Sequence, residues 1–201
     1  MSKLNSSFLD CIKKYKHKTA LILENSKKIS YQNLINNSQK ISKNLENKKM
    51  LVFLLGQNNF ETLAGYISFI NKGFAVVLLD GKINELLLNR LISTYKPQYV
   101  FCDKIKKFNT KYFEILLNFK NFNLYKAKKY TKIKIHKDLA LLMSTSGSTG
   151  SPKLVKLTYV NLDSNTKNII KYLKIKKEDT SITSLPISYV YGLSIINTHL
   201  L

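Results

Sequence analysis

Short apolar runs alternate with amphipathic segments along most of this chain, and that alternation limits the fold more than any other feature. The runs Met50–Leu55, Ala75–Leu79 and Tyr99–Cys102 consist only of apolar and aromatic residues. Between the first two runs, apolar residues recur at helical spacing, at Phe60, Leu63, Ala64, Ile67 and Ile70. Strands without a polar face are buried on both sides, and strands separated by helices pair in parallel. The sequence therefore predicts an α/β fold whose parallel-rich sheets are covered by helices.

The same patterns predict the remaining elements. A short helix is predicted over Phe8–Tyr15, followed by a hairpin that joins Thr19–Leu23 to Ile29–Tyr31. Further helices are predicted at Leu34–Leu45, at Asn84–Tyr95, from a Thr158 cap to Leu173 and from Tyr191 onward, with Gly73 just past the helix that begins at Phe60. Between Lys104 and Lys137 the pattern weakens, and we predict a helical turn at Phe113–Leu117 and an edge strand through Ile133 and Ile135. Asp179–Leu185 is predicted as a further strand.

One loop between two apolar strands is rich in hydroxyl residues and glycine. Leu139–Met143 and Leu154–Leu157 are predicted as strands, and Ser144-Thr-Ser-Gly-Ser-Thr-Gly-Ser-Pro-Lys153 joins them. Gly147 and Gly150 can adopt positive φ and leave room for backbone N–H groups to converge on a ligand. Convergent amides, hydroxyl donors and one lysine suit a polyphosphate. Segments of this composition also occur as solvated turns, and this one fits neither the Walker pattern nor Gly-x-Gly-x-x-Gly.

Three blocks of the sequence carry a resemblance to a known family. They are Thr145-Ser-Gly-Ser-Thr-Gly-Ser-Pro-Lys153, Leu185-Pro-Ile-Ser-Tyr-Val-Tyr-Gly-Leu193 and, more weakly, Asn71-Lys-Gly-Phe-Ala-Val-Val-Leu-Leu-Asp80. In this combination and order they resemble the adenylate-forming (AMP-binding) enzyme superfamily, and acyl-CoA synthetases in particular. The resemblance implies a ligase that joins a small carboxylic acid to ATP as an acyl-AMP and then passes the acyl group to a thiol. That thiol is expected to belong to CoA.

The resemblance also implies roles for individual residues. The residues expected to bind the β- and γ-phosphates of ATP are Thr145, Ser146, Gly147, Ser148, Thr149, Gly150 and Lys153. Mg²⁺ is expected to share the neutralisation of these phosphates. Tyr189 and Gly192 are expected at the acyl pocket or its gate, with Tyr189 where the family usually carries His or Phe. Tyr189 and Tyr191 could equally be ordinary core aromatics.

The expected domain organisation depends on how much of a typical family member this chain covers. The chain of 201 residues is expected to be an incomplete N-terminal AMP-binding domain. Residues 1–138 are expected to form a first βα subdomain, and residues 139–201 the phosphate loop with the start of a second sheet. The family's Tyr-Gly-x-Thr-Glu element, its ribose-binding Asp and the lysine of its C-terminal lid domain have no counterpart here. We therefore expect a truncated and inactive portion of a ligase, with no catalytic residue assigned in it.

Charge offers a function of a different class. The net charge is +21, from 33 basic and 12 acidic residues, as in some basic nucleic-acid-binding modules. However, Arg90 is the only arginine and the lysines are spread along the chain. Bidentate contacts to bases and phosphates favour arginine. No nucleic-acid partner is therefore expected, and steeply salt-dependent, submicromolar binding of single-stranded DNA would contradict that expectation.

The positions of cysteine and histidine and the lengths of the apolar runs indicate the cellular compartment in which the protein is expected. Cys11 and Cys102 are far apart, and His17, His136 and His199 are isolated, so no metal site is predicted. The N-terminus lacks the apolar core of a signal peptide, and no apolar run is long enough to span a bilayer. A cytoplasmic protein with inert thiols is expected.

A near alternative to the CoA ligase is adenylation of an amino acid or aryl acid for delivery to a carrier protein.

The first testable prediction concerns Lys153. Lys153→Ala should cause a large drop in carboxylate-dependent ATP–pyrophosphate exchange by a complete enzyme that contains this segment, because the loop would lose its one fixed positive charge beside the leaving group. Exchange that is unchanged by the substitution would remove Lys153 from the mechanism.

Overall fold

The structure is a computed structural model that describes residues 14–129, 133–144 and 154–200. Its strands are β1 (Thr19–Ile22), β2 (Lys28–Ser30), β3 (Leu51–Gly56), β4 (Ala75–Asp80), β5 (Tyr99–Asp103), β6 (Phe113–Phe119), β7 (Phe122–Ala127), β8 (Leu139–Ser144) and β9 (Leu154–Thr158). Its helices are α1 (Tyr31–Ser42), α2 (Phe60–Asn71), α3 (Glu85–Tyr95), α4 (Tyr159–Leu173) and α5 (Val190–Leu200), and a 3₁₀ turn spans Thr110–Tyr112.

A seven-stranded sheet forms the centre of the fold, in the order β6-β7-β5-β3-β4-β8-β9. The four middle strands β5, β3, β4 and β8 run parallel, and β7, β6 and β9 complete the sheet in antiparallel pairs. The α/β fold with a parallel-rich, helix-covered sheet is thus confirmed. β8 and β9 lie in the same sheet as β3. The division of the chain into two parts after residue 138 stays a prediction.

The buried side chains divide between the two faces of this sheet. Val52 and Leu54 of β3 pack in the cluster that contains α1 and α2, whereas Phe53 and Leu55 pack in the cluster beneath α3. This alternation follows from the two-residue period of a strand, and it explains why β3 has no polar face. α2 is itself covered by α1, and the hydroxyls of Ser42 and Ser68 lie 2.8 Å apart where the two helices meet.

Local signals in the sequence fix several helix ends where they were predicted. Thr158 caps α4 in a capping box with Asn161, and the helix ends at Leu173 as predicted. Gly73 follows the end of α2 with φ of 79°, a conformation that favours glycine at this position. The hairpin of β1 and β2 is also confirmed. The predicted helix at Phe8–Tyr15 lies mostly outside the described residues.

Two predictions between β5 and β8 are wrong. Phe113–Leu117 is not a helical turn but the start of β6, which pairs with β7 through a tight turn in which Lys120 has φ of 52°. The aromatic side chains at both ends of β6, Phe113 and Phe119, are buried, and this burial outweighs the local helical spacing. Ile133 and Ile135 lie in irregular backbone and not in an edge strand.

The predicted strand at Asp179–Leu185 is also wrong, because this segment is irregular. Ile182 is 81% exposed and Leu185 is 42% exposed, so the apolar positions of the segment do not face the core as those of a sheet strand would. Among the described residues, no helix is both long enough and apolar enough to cross a membrane.

The packing of α2 on β5 gives a prediction about stability. A Cβ on Gly65 would lie 2.6 Å from Cε1 of Phe101, so Gly65→Ala should destabilise the protein by about 1–3 kcal/mol through overpacking. Because the Phe101 ring is fully buried and cannot move aside easily, we expect an overpacking cost in the upper part of this range, about 2–3 kcal/mol. Alanine normally favours a helix by about 1 kcal/mol over glycine, so the expected net loss is about 1–2 kcal/mol. Urea unfolding of the wild type, of Gly65→Ala, of Phe101→Leu and of the double variant measures the coupling between the two positions. An unchanged urea midpoint in Gly65→Ala would contradict the packing.

Candidate functional site

The carboxyl ends of the parallel strands meet at one edge of the sheet. Gly56 at the end of β3 lies opposite Asp80 at the end of β4, and Leu78 lies opposite Met143 of β8. The chain then enters α2 after β3 and α3 after β4, and these helices cover opposite faces of the sheet. Connections that diverge to opposite faces leave a crevice between them, which is where open α/β sheets bind ligands. We refer to this side of the sheet as the carboxyl edge.

A crevice of about 380 Å³ opens at the carboxyl edge. Its polar lining consists of Gln57, Asn84, Glu85, Asp103, Lys106 and Lys107, so two carboxylates face it as well as two lysines. Gly81 donates its backbone N–H to the carbonyl of Gly56 at 2.9 Å, and a Cβ on Gly81 would lie 2.7 Å from Cγ of Gln57. Glycine at position 81 therefore lets the β3–α2 and β4–α3 connections approach closely.

Lys106 holds one wall of this crevice in place. Its ammonium group donates to the backbone carbonyls of Gly81, at 3.0 Å, and of Ile83. These bonds attach the segment after β5 to the β4–α3 connection. The positive charge of Lys106 thus remains at the mouth of the crevice, and the exposed Lys107 lies beside it.

The predicted phosphate loop begins and ends at this same edge. Ser144 at the end of β8 pairs with Leu154 at the start of β9, so the nine intervening residues connect two neighbouring antiparallel strands. The predicted phosphate-binding residues Thr145, Ser146, Gly147, Ser148, Thr149, Gly150 and Lys153 all lie outside the described residues. Their roles stay predictions, and the structure supplies the position of the two strands that flank them.

The second block is fixed to the carboxyl edge by a residue that the sequence patterns did not single out. Asn58, in the β3–α2 turn, hydrogen bonds to the backbone of Thr183, Leu185 and Ile187. Ile187 is buried, and its Cγ2 would lie 2.8 Å from a Cβ on Gly56. The sequence could have indicated Asn58 by one feature: it is a polar residue just after the carboxyl end of a buried strand.

Tyr189 and Gly192 occupy different environments within this block. Tyr189 is 56% exposed and Tyr191 is 68% exposed, so the alternative that both are core aromatics is wrong. Gly192 is buried in the first turn of α5, where a Cβ would lie 2.2 Å from the carbonyl oxygen of Pro186. Gly192 therefore lets α5 pack on the preceding loop. The assignment of both residues to an acyl pocket stays a prediction.

Several groups with shifted pKa values belong to the body of the fold. Burial lowers the pKa of Lys49 to about 8, and its Nζ donates to the carbonyl of Gly73 at 3.0 Å while lying 5.0 Å from the ring centre of Tyr159. Burial also raises the pKa of the Tyr159 hydroxyl, which donates to the carbonyl of Phe74 at 2.8 Å. These residues lie before β3 and β4, at the edge opposite the crevice. Lys49 is therefore a packing residue and not a candidate for the site.

Cys102 is the free cysteine within the described part of the chain. Burial raises the pKa of its thiol to about 12, so the thiol is protonated near neutral pH and unreactive as a nucleophile. The prediction of an inert thiol is confirmed for Cys102, and Cys11 lies outside the described residues.

Residues 14–129, 133–144 and 154–200 contain no group of three or more His, Cys, Asp or Glu side chains that could hold a metal ion. Nucleotide sites usually bind Mg²⁺ through one or two carboxylates together with the phosphates of the substrate.

The arrangement can be compared with known proteins. The family model for AMP-binding enzymes matches residues 8–201. The D-alanine–D-alanyl carrier protein ligase of Staphylococcus aureus is 26% identical over 168 residues, a match that covers 80% of this chain and 33% of the relative. This chain thus spans about a third of the length of the curated relatives it matches.

Two solved structures share the fold. ATP-bound MatB from Rhodopseudomonas palustris is 21% identical with a TM-score of 0.77, and the match covers 98% of this chain and 43% of that one. o-Succinylbenzoate CoA synthetase (MenE) from Bacillus subtilis, in complex with the acyl-adenylate intermediate OSB-AMP, is 19% identical with a TM-score of 0.71, covering 96% and 52%. Because the family model matches nearly the whole sequence, the chain belongs to the AMP-binding enzyme family.

Proposed function

We propose that this chain supplies the nucleotide-phosphate part of an AMP-forming acid ligase. The reaction joins a carboxylate to the α-phosphate of ATP, releases pyrophosphate, and then transfers the acyl group from acyl-AMP to a thiol. One observation supports the proposal: β8 ends and β9 begins at the carboxyl edge, so the strands that flank the segment of hydroxyl residues, glycines and one lysine both meet that edge.

The chemistry requires positive charge and fixed hydrogen-bond donors, because two anionic substrates must approach each other. We propose that residues Thr145–Gly150 and Lys153 bind the β- and γ-phosphates, where negative charge grows as pyrophosphate departs. Mg²⁺ would be held mainly by the phosphates themselves.

The thiol acceptor is proposed to be CoA. The Leu185–Leu193 block has the form found in acyl-CoA synthetases, and a CoA synthetase is among the proteins that share this fold. A carrier protein is the second candidate, favoured by the similarity to a ligase whose name specifies D-alanine and a D-alanyl carrier protein. In both cases the substrate is a small carboxylic acid, and Tyr189 with Gly192 is proposed to line or gate its pocket.

Catalysis by this chain alone is not proposed. The chain corresponds to 33% of the curated relative and to 43% of MatB, and we expect it to bind the phosphates of ATP without completing the reaction. We place it in the cytoplasm, where ATP and reduced thiols such as Cys102 are both found.

Binding of pyrophosphate tests this proposal without requiring turnover. Pyrophosphate with Mg²⁺ should raise the Tm of the chain, by a stabilisation of about 2.7 kcal/mol at a ligand concentration 100 times Kd. ATP should act similarly, and AMP should act much more weakly because it lacks the β- and γ-phosphates. This difference is expected because the proposed loop contacts only the β- and γ-phosphates, which leave as pyrophosphate.

Lys156 offers a matched control for Lys153 in this experiment. Lys156 is exposed in the middle of β9, whereas Lys153 precedes that strand. Lys153→Ala should weaken pyrophosphate binding roughly tenfold or more, as expected for loss of a charge-assisted hydrogen bond, while Lys156→Ala should leave it nearly unchanged. Equal losses in the two variants would indicate attraction by diffuse charge and would contradict the proposed loop.

A further inference from the structure

The loop before Tyr189 is held in place without belonging to a helix or strand. Residues 179–189 are irregular, so their backbone N–H and C=O groups lack the partners that a sheet would supply. Yet Ile187 and Ser188, near the end of the loop, are buried, with only 1% and 6% of their surfaces exposed. The rest of the segment is largely exposed, so its backbone can also bond to water, and contacts from elsewhere in the chain are needed to fix its conformation.

The side chain of Asn58 supplies three of those contacts. Its Nδ2 lies 2.6 Å from the carbonyl oxygen of Thr183 and 2.9 Å from that of Leu185, so its two N–H groups can each donate to one of them. Its Oδ1 accepts the backbone N–H of Ile187 at 2.9 Å. The reversed orientation of the carboxamide would set donor against donor and acceptor against acceptor, so the three contacts fix the orientation of the group.

The turn that carries Asn58 is closed by other residues. Asn59 caps α2 by accepting the backbone N–H of Thr62 at 2.9 Å. The hydroxyl of Thr62 accepts the backbone N–H of Gln57 at 3.1 Å. The carboxamide of Asn58 therefore faces away from its own turn, toward a segment 125 to 129 residues later in the chain.

The anchored loop leads directly into Tyr189 and α5. Ile187, two residues before Tyr189, is held through its backbone by Asn58 and through its side chain against Gly56. Tyr189 donates its own N–H to the carbonyl of Pro186 at 3.0 Å and accepts the N–H of Leu193 at 2.9 Å. The backbone of Tyr189 is thus fixed from both sides, while its ring stays mostly exposed.

We infer that Asn58 is a positioning residue for Tyr189: its carboxamide attaches the Thr183–Ile187 segment to the end of β3 and thereby sets the Tyr189 ring at the carboxyl edge. The importance of this position for acid binding rests on the proposed function. The attachment itself depends only on the contacts of Asn58, and it joins the connection after β3 to the proposed acyl-pocket block.

Fluorine NMR on the chain labelled with 3-fluorotyrosine tests this inference. The Tyr189 resonance is assigned by its loss in Tyr189→Phe. Asn58→Ala removes all three contacts, and Asn58→Asp keeps the acceptor for Ile187 but places oxygen against the carbonyls of Thr183 and Leu185. Both variants should shift or broaden the Tyr189 resonance, and Asn58→Ala should speed amide exchange in the 183–189 segment roughly tenfold or more.

Asn59→Asp is the matched control, because aspartate caps a helix as well as asparagine and keeps the acceptor for the N–H of Thr62. It loses only the long contact, at 3.5 Å, from Nδ2 of Asn59 to Oε1 of Gln57. The Tyr189 resonance should be unchanged in that variant. The buried Tyr99 of β5 reports on the core, and its resonance should keep its wild-type position in every variant. Tyr66 is not used for this purpose, because its hydroxyl donates to Asn197 of α5 at 3.2 Å.

Two results would overturn the inference. One is a Tyr189 resonance in Asn58→Ala that coincides with the wild type. The other is a shift of Tyr99 together with Tyr189, which would assign Asn58 to general stability. Neither result depends on nucleotide, so a failure of pyrophosphate binding would refute the proposed function and leave the role of Asn58 to be decided by these spectra.

Discussion

Parallel pairing of β3 with β4, and of β4 with β8, is the constraint on which the rest of the structure depends. Parallel strands send all of their connections out from the same edge, so residues far apart in sequence are delivered to one place. The β3–α2 turn, the β4–α3 connection and the start of the 145–153 loop all begin there. The strands themselves are apolar and chemically inert, and their burial provides the rigidity that lets short polar connections be placed accurately.

The polar contacts at that edge are individually weak and depend on this support. A hydrogen bond that exchanges with water contributes about 0.5–1.5 kcal/mol net, so the carboxamide of Asn58 alone would not order a flexible segment. It acts together with the close fit of Ile187 on Gly56, which buries apolar surface at the same point. The glycines at positions 56 and 81 matter here because each leaves out a side chain where two connections meet.

The elements that sequence patterns predicted well are those whose signals are local. The runs of β3, β4 and β5, the Thr158 cap and the Gly73 end of α2 each depend on neighbours within a few residues. The β6–β7 hairpin was missed because its turn places Lys120 at positive φ without a glycine, so the usual turn signal is missing. The segment Asp179–Leu185 is predicted as a strand, but it is irregular. Its actual partner, Asn58, is more than a hundred residues away. The strands β8 and β9, which flank the predicted phosphate loop, could be predicted from local sequence patterns. The contact of Asn58 with the Leu185–Leu193 block could be found only from the tertiary structure.

The high lysine content can be interpreted through the contacts that individual lysines make. Lys106 bonds to backbone carbonyls beside the crevice, Lys49 to a carbonyl and the face of Tyr159, and Lys120 lies 3.8 Å from the ring centre of Phe60. In each case the flexible chain of the lysine lets its ammonium group reach a carbonyl or an aromatic face, a role that does not require the planar fork of arginine. Part of the +21 charge is thus used within the fold itself. This use does not require a surface built to read nucleic acid, where arginine pairs with bases and phosphates.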